Sequence, residues 1–463
     1  MTALLEEIIV TASPARVFAA ITELWPPERP NPVIGKAVVL GGSIAGLLAA
    51  RVLADHADSV VIIDRDELRG TGPRRGVPQS TQLHALLPGG LLHLERLFPG
   101  FNREALALGA VAVPPESRVT YVDGRRKVVV PDESEILAGS RPFLEGLVRR
   151  RVLQLPNVKV VQARGTGLVI DGDAVTGVRT DSDGMDGVES ADLVVDAMGR
   201  SSRLSDWLEQ GGWERPPLRR MTLDLNYATA YFRRREQNPE HTVVMSAYTE
   251  KSRVDVAGVA FFAVEDDRWM LMMAGYGDDR PGSTRDDLLR RMRSDFPPEF
   301  AALAGEELIG DIATYRHPDS RRRDYHALRR FPAGLVSVGD AVASFNPVYG
   351  QGMTSAALHA AALSMYLRSA PDLRAPAREF FALQKVVVDA AWTTSTSADL
   401  ALPHVDGPYP PGYALTKPIA DRVLNATVTD VRIARVFNEV VSMLRHPNDL
   451  AKPGIVLRSL LIR

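Results

Sequence analysis

A glycine-rich segment between a predicted strand and a predicted helix constrains the fold of this chain most strongly. The apolar residues 37–40 predict a strand, and the apolar spacing over 44–54 predicts a helix. The segment Gly41-Gly42-Ser43-Ile44-Ala45-Gly46 joins them, and a β-branched run over 59–63 then ends at Asp64. This order predicts a βαβ unit that binds a dinucleotide at the glycine turn.

Each position of this turn has a physical role in that hypothesis. Gly41 makes the tight turn, and Gly46 lets the helix lie close to the strand. Ser43 stands where the pattern has its second glycine, and its hydroxyl can itself bond a phosphate oxygen. The carboxylate of Asp64 can accept a hydrogen bond from a ribose hydroxyl. The other candidate ligands are Gly42, Ala45 and Arg65. A chance glycine turn is the alternative, and NAD and FAD both bind in this way.

The composition limits the classes of protein to which this chain can belong. With 463 residues, 45% hydrophobic and 24% charged, it is typical of a globular protein with two lobes. The net charge of -2 argues against a dedicated nucleic-acid-binding protein. Because cysteine is absent, disulfides, iron–sulfur clusters and Cys nucleophiles are excluded, and redox chemistry would need a bound organic cofactor.

The sequence also gives expectations about location and metals. It contains no apolar run long enough for a membrane helix, and Glu6 and Glu7 stand where a secretory signal would carry Lys or Arg. We therefore expect a cytoplasmic protein with no stable membrane anchor. The histidines show no metal-ligand spacing, so no metal is expected.

A second glycine-containing segment selects among the dinucleotides. Residues 335–341 form an apolar run that contains Gly339-Asp340. Then come Asn346-Pro347-Val348-Tyr349-Gly350-Gln351-Gly352-Met353 and a predicted alanine-rich helix. The two motifs in this order resemble those of the FAD-dependent flavoprotein monooxygenases.

This resemblance implies roles for the second segment. Asp340 would hold a ribityl hydroxyl of FAD, and the backbone N–H groups from Gly350 to Met353 would face the N1/O2 edge of the flavin. A helix N-terminus there would stabilise the negative charge that reduced flavin carries. The further candidate FAD ligands are Arg141, Gly339, Pro347, Gln351 and Gly352. Without cysteine, or a histidine in a tethering context, the FAD is expected to be noncovalent.

Three shorter segments resemble the branch that contains the squalene epoxidases and the actinobacterial polyether epoxidases. They are Gly199-Arg200-Ser201, Arg74-Arg75-Gly76, and Ser140-Arg141 with Leu144. In that branch an arginine corresponding to Arg141 lies near the cofactor. A solvated charge run is the alternative interpretation of Arg74 and Arg75.

The predicted fold is a two-lobed α/β (α+β) fold. A Rossmann-like FAD-binding domain carries an inserted antiparallel substrate-binding β domain, an N-terminal strand–helix extension and a helical C-terminal region. The predicted bounds are 36–115, 140–215 and 331–370 for the FAD domain, 116–139 and 216–330 for the β domain, 1–35 for the extension and 371–463 for the C-terminal region. Residues 5–25 are similar to the start of a START-like polyketide cyclase, and an extra strand and helix docked on the main body is the alternative.

An aromatic and methionine-rich hairpin in the β domain suits an irregular lipophilic ligand. The candidate pocket residues are Phe262, Trp269, Met270, Met272 and Tyr349. The alternative is that these side chains are only sheet core.

The resemblance implies a monooxygenase that transfers one atom of O2 to a lipophilic specialised metabolite, as in antibiotic biosynthesis. Oxygen transfer through a flavin C4a-hydroperoxide would epoxidise or hydroxylate a polyketide or terpenoid. One dinucleotide fold is visible, so either NADPH or NADH binds transiently or a separate flavin reductase supplies electrons. The alternatives are an FAD-dependent reductase or dehydrogenase of an isoprenoid-like substrate, and a catalytically silent FAD-binding partner protein.

Overall fold

The fold was obtained as a computed structural model that describes residues 12–23, 34–70, 72–235, 240–253 and 255–462. A strand predicted from the sequence at 7–11 lies outside these residues. The helices are α1 (Pro14–Glu23), α2 (Ile44–Leu53), α3 (Pro88–Leu97), α4 (Phe101–Ala107), α5 (Arg141–Leu153), α6 (Leu204–Gln210), α7 (Arg285–Ser294), α8 (Pro298–Leu303), α9 (Gly352–Arg368), α10 (Arg378–Asp399), α11 (Tyr413–Ala426), α12 (Val431–Val441) and α13 (Pro453–Leu461).

The strands fall into four sheets. In chain order they are β1 (Ile34–Leu40), β2 (Ala57–Asp64), β3 (Ala85–Leu86), β4 (Val111–Val113), β5 (Arg118–Val122), β6 (Arg125–Arg126), β7 (Ile136–Ala138), β8 (Val158–Gln162), β9 (Arg164–Asp171), β10 (Ala174–Ser182), β11 (Met185–Ser190), β12 (Leu193–Asp196), β13 (Leu218–Arg233), β14 (Val243–Ala247), β15 (Val256–Val264), β16 (Arg268–Tyr276), β17 (Leu308–Arg323), β18 (Leu335–Ser337) and β19 (Ala343–Ser344).

A parallel sheet with the order β18-β12-β1-β2-β8 forms the centre of the first lobe. β1 pairs in parallel with β2 on one side and with β12 on the other. Most residues of β1 and β2 are buried and apolar, as expected for parallel strands covered on both faces. Because Leu40 is in register with Asp196, the carboxyl ends of β1 and β12 lie side by side. The segments that follow these two strands therefore meet at one edge of the sheet.

An eight-stranded sheet with the order β19-β17-β13-β16-β15-β14-β5-β6 forms the second lobe. Neighbouring strands are antiparallel except β14 and β5, which run parallel. Its first strand, β19, follows closely after the Gly339-Asp340 segment of the first lobe. Two three-stranded sheets, β11-β10-β9 and β3-β7-β4, complete the structure.

The predicted α/β class, with an antiparallel sheet and helices towards the C-terminal end, is confirmed. Within the predicted helical region 371–463, residues 421–444 have apolar side chains at helical spacing, but the structure divides them between α11 and α12. Asp430 causes the break, because its Oδ1 accepts hydrogen bonds from the backbone N–H groups of Arg432 and Ile433 at 3.0 Å and so starts a new helix. Among the described helices, each is too short or too polar to cross a membrane.

Helix α1 is part of the main hydrophobic core. Val17, Phe18 and Ile21 are buried in the same cluster as β1 and α9, and the ring of Phe18 meets His446 edge to face at 5.7 Å. The predicted N-terminal extension therefore docks through its helix on the first lobe.

We expect Phe18→Ala to lower the free energy of unfolding by about 3–5 kcal/mol, because it leaves a cavity in a closed core. Chemical denaturation of both proteins measures the change. Arg16→Ala on the exposed face of the same helix is the matched control, and its effect should stay within about 0.5 kcal/mol. Equal losses in the two variants would show that α1 is only loosely attached.

Candidate active site

The glycine turn after β1 leaves no room for a side chain at two positions. Gly41 has φ +102°, and a Cβ atom there would lie 2.5 Å from the carbonyl oxygen of Ala197, which follows β12. A Cβ atom on Gly46 would lie 1.8 Å from the carbonyl oxygen of Gly41. The turn thus packs tightly between β12 and α2, and its residues Gly41, Gly42, Ser43 and Ala45 line a cleft, whereas Gly46 lies beneath them.

Asp64, at the end of β2, supports the turn from the side. Its Oδ2 accepts a hydrogen bond from the backbone N–H of Gly42 at 2.6 Å, and its Oδ1 accepts one from Asp66 at 2.8 Å. Asp64 and Arg65 both line the cleft. Each carboxylate oxygen has a second lone pair, so Asp64 can hold the turn and still accept from a ribose hydroxyl.

Glu145 on α5 is a central residue that the sequence analysis missed. Its carboxylate accepts hydrogen bonds from Arg74 at 3.0 Å, Arg141 at 3.0 Å, Arg149 at 2.8 Å and the hydroxyl of Ser43 at 2.8 Å. The hydroxyl of Ser43 therefore donates to Glu145 in this structure, and its bond to a phosphate oxygen stays a prediction. Nothing in the sequence marks Glu145, because its partners come from three separate segments.

The charges around Glu145 bind the glycine turn to α5. Burial alone raises the pKa of Glu145, but Arg141, Arg74 and the hydroxyl of Ser43 outweigh burial and bring it down to about 2. Arg74 also donates to the carbonyl oxygen of Gly42 at 3.0 Å. Arg74 is thus a buried structural cation, whereas its neighbour Arg75 is the exposed residue of the pair.

The Gly339-Asp340 segment lies directly against the glycine turn. Gly339 has φ +63°, and a Cβ atom there would lie 2.4 Å from the Cβ of Ala45 at the start of α2. Its backbone N–H donates to Nδ1 of His359 at 2.9 Å. Asp340 faces the cleft, and burial raises its pKa although Arg141 and Arg200 lower it. The two motifs, far apart in the chain, meet at one site.

The loop from Asn346 to Gly352 continues this site. The side chain of Asn346 accepts from the backbone N–H of Val348 at 3.1 Å and donates to Asp399 at 2.8 Å. The hydroxyl of Tyr349 donates to the same oxygen of Asp399 at 3.0 Å. Burial raises the pKa of Asp399 to about 7. This network ties the loop to the end of α10.

The loop places most of its predicted ligands along the cleft. Pro347, Tyr349, Gly350, Gly352 and Met353 line it. The buried side chain of Gln351 instead donates to the carbonyl oxygen of Val441 at 3.3 Å. The N-terminus of α9, which begins at Gly352, supplies free N–H groups beside the cleft.

One cleft of about 1570 Å³ contains both motifs and extends over the antiparallel sheet. Drug-sized ligands occupy sites of roughly 300–1,000 Å³, so this cleft has room for a dinucleotide and a second ligand. Of the candidate pocket residues, Phe262, Met272 and Tyr349 line it. Tyr276, from the same predicted hairpin, also lines it, as does Tyr227, which the sequence analysis did not identify.

Two of the candidate pocket residues lie elsewhere. Trp269 is on the opposite face of β16, where its ring meets Phe261 edge to face at 5.2 Å beneath α8. Side chains alternate between the two faces of a strand, so Trp269 and Met270 cannot both face the cleft. Met270 has the cleft-side orientation but is fully covered by its neighbours. These two residues are therefore sheet core.

Arg200, in the segment that resembles the epoxidase branch, lines the cleft beside Asp340. Its guanidinium donates to the carbonyl oxygen of Asp319 on β17 at 2.7 Å and to the Asp319 carboxylate. This contact joins the two lobes at the site. In the part of the chain that the structure describes, no cluster of three His, Cys, Asp or Glu residues could hold a metal ion.

Comparison with known proteins identifies a sequence relative of this chain. The chain is 35% identical over 429 residues to Protein Rv3254 of Mycobacterium tuberculosis (strain ATCC 25618 / H37Rv), a match that covers 88% of this chain and 89% of that protein. The chain therefore belongs to the same family as Protein Rv3254. No protein-family model matches it.

Solved structures share the fold at low sequence identity. p-Nitrophenol 4-monooxygenase PnpA from Pseudomonas putida DLL-E4 has a TM-score of 0.63 at 16% identity, over 89% of this chain and 99% of that chain. PqsL, a probable FAD-dependent monooxygenase from Pseudomonas aeruginosa, has a TM-score of 0.59 at 20% identity, over 80% and 98%. The flavin-dependent brominase Bmp2 has a TM-score of 0.60 at 14% identity, over 93% and 98%. The fold is thus that of flavin-dependent monooxygenases and related enzymes.

We expect Glu145→Gln to destabilise the protein by about 3–5 kcal/mol at pH 7, because it leaves buried arginines without their counter-charge. The folded pKa of Glu145 lies below its usual value, so its contribution is complete above about pH 4.5 and is lost as the pH falls towards about 2. Chemical denaturation of the parent protein and the variant across this pH range should show that their difference in free energy of unfolding becomes smaller as the pH falls.

Glu104→Gln is the matched control. Glu104 pairs at the surface with Arg150 and Arg151, which lie on α5 as Glu145 does. Its replacement should lower the free energy of unfolding by less than about 1 kcal/mol. An equal cost for the two variants would contradict the central role of Glu145.

Proposed function

We propose that the chain is an FAD-dependent monooxygenase that uses electrons from NADPH or NADH, directly or through a flavin reductase, to insert one oxygen atom of O2 into a lipophilic substrate. The observation that carries this proposal is the close packing of Gly339 on Ala45. It brings Asp340 and the N-terminus of α9 to the same cleft as the glycine turn.

The described residues fit FAD along its whole length. The glycine turn and the start of α2 suit a pyrophosphate, because the turn has no side chain at the approach and the helix offers N–H groups. Asp64 suits the adenosine ribose, and Asp340 suits a hydroxyl of the ribityl chain. Gly350 to Met353 suit the flavin ring.

FAD, when bound, supplies the activation of O2, so the protein need not supply a nucleophile. The residues of the chain bind and orient the cofactor and keep water away from it. Phe262 and Met272 give the floor of the cleft an apolar surface. α10 also lines the cleft, and Asp399 at its end accepts the hydrogen bond from Tyr349. This arrangement supports a lipophilic substrate, and epoxidation or hydroxylation of a polyketide or terpenoid is the reaction that we propose.

We expect Asp340→Ala to weaken FAD binding by about 1–3 kcal/mol, because it removes the half-buried acceptor for a ribityl hydroxyl. Fluorescence titration of the FAD-free protein with FAD measures the dissociation constant. Asp372→Ala, at an exposed carboxylate after α9, is the control and should leave that constant unchanged. If both variants bind FAD as well as the parent protein, Asp340 is not an FAD ligand.

Incubation with NADPH or NADH and 18O2 tests the reaction class. Any lipophilic compound that the protein converts should gain one atom of 18O, and none should enter from H218O. A reductase or dehydrogenase would give products without 18O. A catalytically silent FAD-binding protein would consume no NAD(P)H above the background rate.

A further inference from the structure

The cleft runs across the whole antiparallel sheet, from the cofactor site at one edge to the opposite edge. Each of the seven strands from β19 to β5 contributes lining residues, among them Ser344, Tyr315, Tyr227, Met272, Phe262 and Thr120. Neighbouring strands lie about 4.8 Å apart, so the six intervals between these strands span roughly 29 Å. The cleft can therefore accept an elongated ligand.

Helices α11 and α12 cover the far end of this cleft. They bring Val423, Leu424, Phe437 and Val440 to its lining, opposite β5 and the segment that follows β6. This segment is fixed to the helices by the backbone hydrogen bond from Val128 to Val428 at 2.8 Å. The far end is thus a chamber with an apolar wall on its helical side, and its lining also holds charged residues, among them Lys127, Glu133 and Glu250.

Lys127 is the residue of this chamber that suggests a bound ligand. Its Nζ donates to Oδ1 of Asn438 at 2.6 Å and lies 4.8 Å from the centre of the Phe437 ring. An ammonium group has three donors, and the amide of Asn438 is neutral. Lys127 lines the cleft. It forms no salt bridge with any carboxylate among the described residues. A charged group that is largely removed from water is normally paired with an opposite charge.

The neighbouring carboxylate is already committed to other residues. Glu133 pairs with Arg118 at 3.1 Å through one oxygen and accepts from Asn438 at 2.7 Å through the other. Burial lowers the pKa of Lys127 to about 8, and Glu133 only partly offsets this effect. An anion brought to Nζ would relieve that cost.

Two other cations along this part of the cleft show the contrast. Arg118 has Glu133 as its counter-charge. Lys417 on α11 has two carboxylates, Glu250 at 2.7 Å and Asp421 at 2.6 Å. Although burial opposes it, hydrogen bonds from Lys417 to these carboxylates raise the pKa of Lys417. Lys127 differs from both because it lacks such a partner.

We propose that Lys127 binds the carboxylate of an elongated, largely apolar molecule that lies across the antiparallel sheet. The assignment of this molecule as the substrate, with its oxidised part over the flavin, rests on the proposed function. One ammonium group beside an apolar wall suits a singly charged carboxylate. A phosphate would require more donors, of the kind that an arginine fork or a helix N-terminus provides.

Dodecanoate and 1-dodecanol are suitable probes, because they share an apolar chain and differ in charge. Isothermal titration calorimetry with the purified FAD-loaded protein, below the micelle concentration, gives both dissociation constants. We expect dodecanoate to bind at least about 10-fold more tightly than 1-dodecanol. Dodecyl phosphate is included to distinguish the two classes of anion, and tighter binding of the phosphate would contradict the proposal.

Variants at Lys127 locate the effect. Lys127→Gln should weaken dodecanoate binding on the order of 10- to 100-fold and leave 1-dodecanol binding within about twofold. Lys127→Arg should keep the preference for the carboxylate. Lys159→Gln is the control, because Lys159 is an exposed lysine of β8 outside the cleft, and this variant should bind dodecanoate like the parent protein.

A second measurement does not depend on the folding of a neutral variant. After reductive 13C-methylation of the lysines, the NMR signal that is absent from Lys127→Arg reports the pKa of Lys127. Dodecanoate should raise that pKa and 1-dodecanol should not. The proposal is overturned if dodecanoate leaves the signal unchanged or if Lys127→Gln binds both probes as the parent protein does.

The failure of this proposal can be separated from failure of the proposed function. Absorbance of the purified protein reports its flavin content independently of these titrations. A protein without FAD would count against the monooxygenase, and the same titrations on that protein would still test Lys127.

Discussion

The contact between Gly339 and Ala45 is the constraint on which the cofactor site depends. A Cβ atom at 339 would come within 2.4 Å of the Ala45 side chain, so the two segments can approach only because position 339 is glycine. Without this approach, Asp340 and α9 would stand away from the glycine turn. The parallel register of β1, β12 and β18 delivers these segments to one edge of the sheet. The cleft that we assign to FAD is a consequence of that register.

Glu145 adds a second, electrostatic constraint at the same place. One buried carboxylate neutralises part of the charge of Arg74, Arg141 and Arg149, and these arginines reach the turn, the cleft and α5. Removing the carboxylate would leave the positive charges of these arginines close together without a counter-charge. An uncompensated charge in a buried site strongly destabilises a protein. The position of Arg141 beside Asp340 is therefore fixed by a residue that itself lies behind the cleft. A single charge thus orients groups that belong to separate segments.

The antiparallel sheet separates its core from the cleft by strand alternation. Phe261 and Trp269 face α7 and α8, while Phe262 and Met272 face the cleft. The cleft-side face continues without interruption from the loop of residues 346–352 to the chamber under α11 and α12. This continuity connects the proposed carboxylate site at Lys127 to the proposed site of oxygen transfer. Substrate recognition and cofactor binding would then occupy opposite edges of one sheet.

The sequence by itself determined the βαβ unit, the Gly339-Asp340 segment and the fold class, because glycine turns and apolar periodicity act locally along the chain. It could not determine which face of the hairpin lines the cleft. The alternation of side chains along a strand defines two faces, but it does not say which face packs against the helices and which faces the cleft. Trp269 was therefore predicted on the wrong face. Nor could it identify Glu145, or show that Lys127 forms no salt bridge with any carboxylate among the described residues. Those depend on which charges come together from distant segments, and only the tertiary structure decides that.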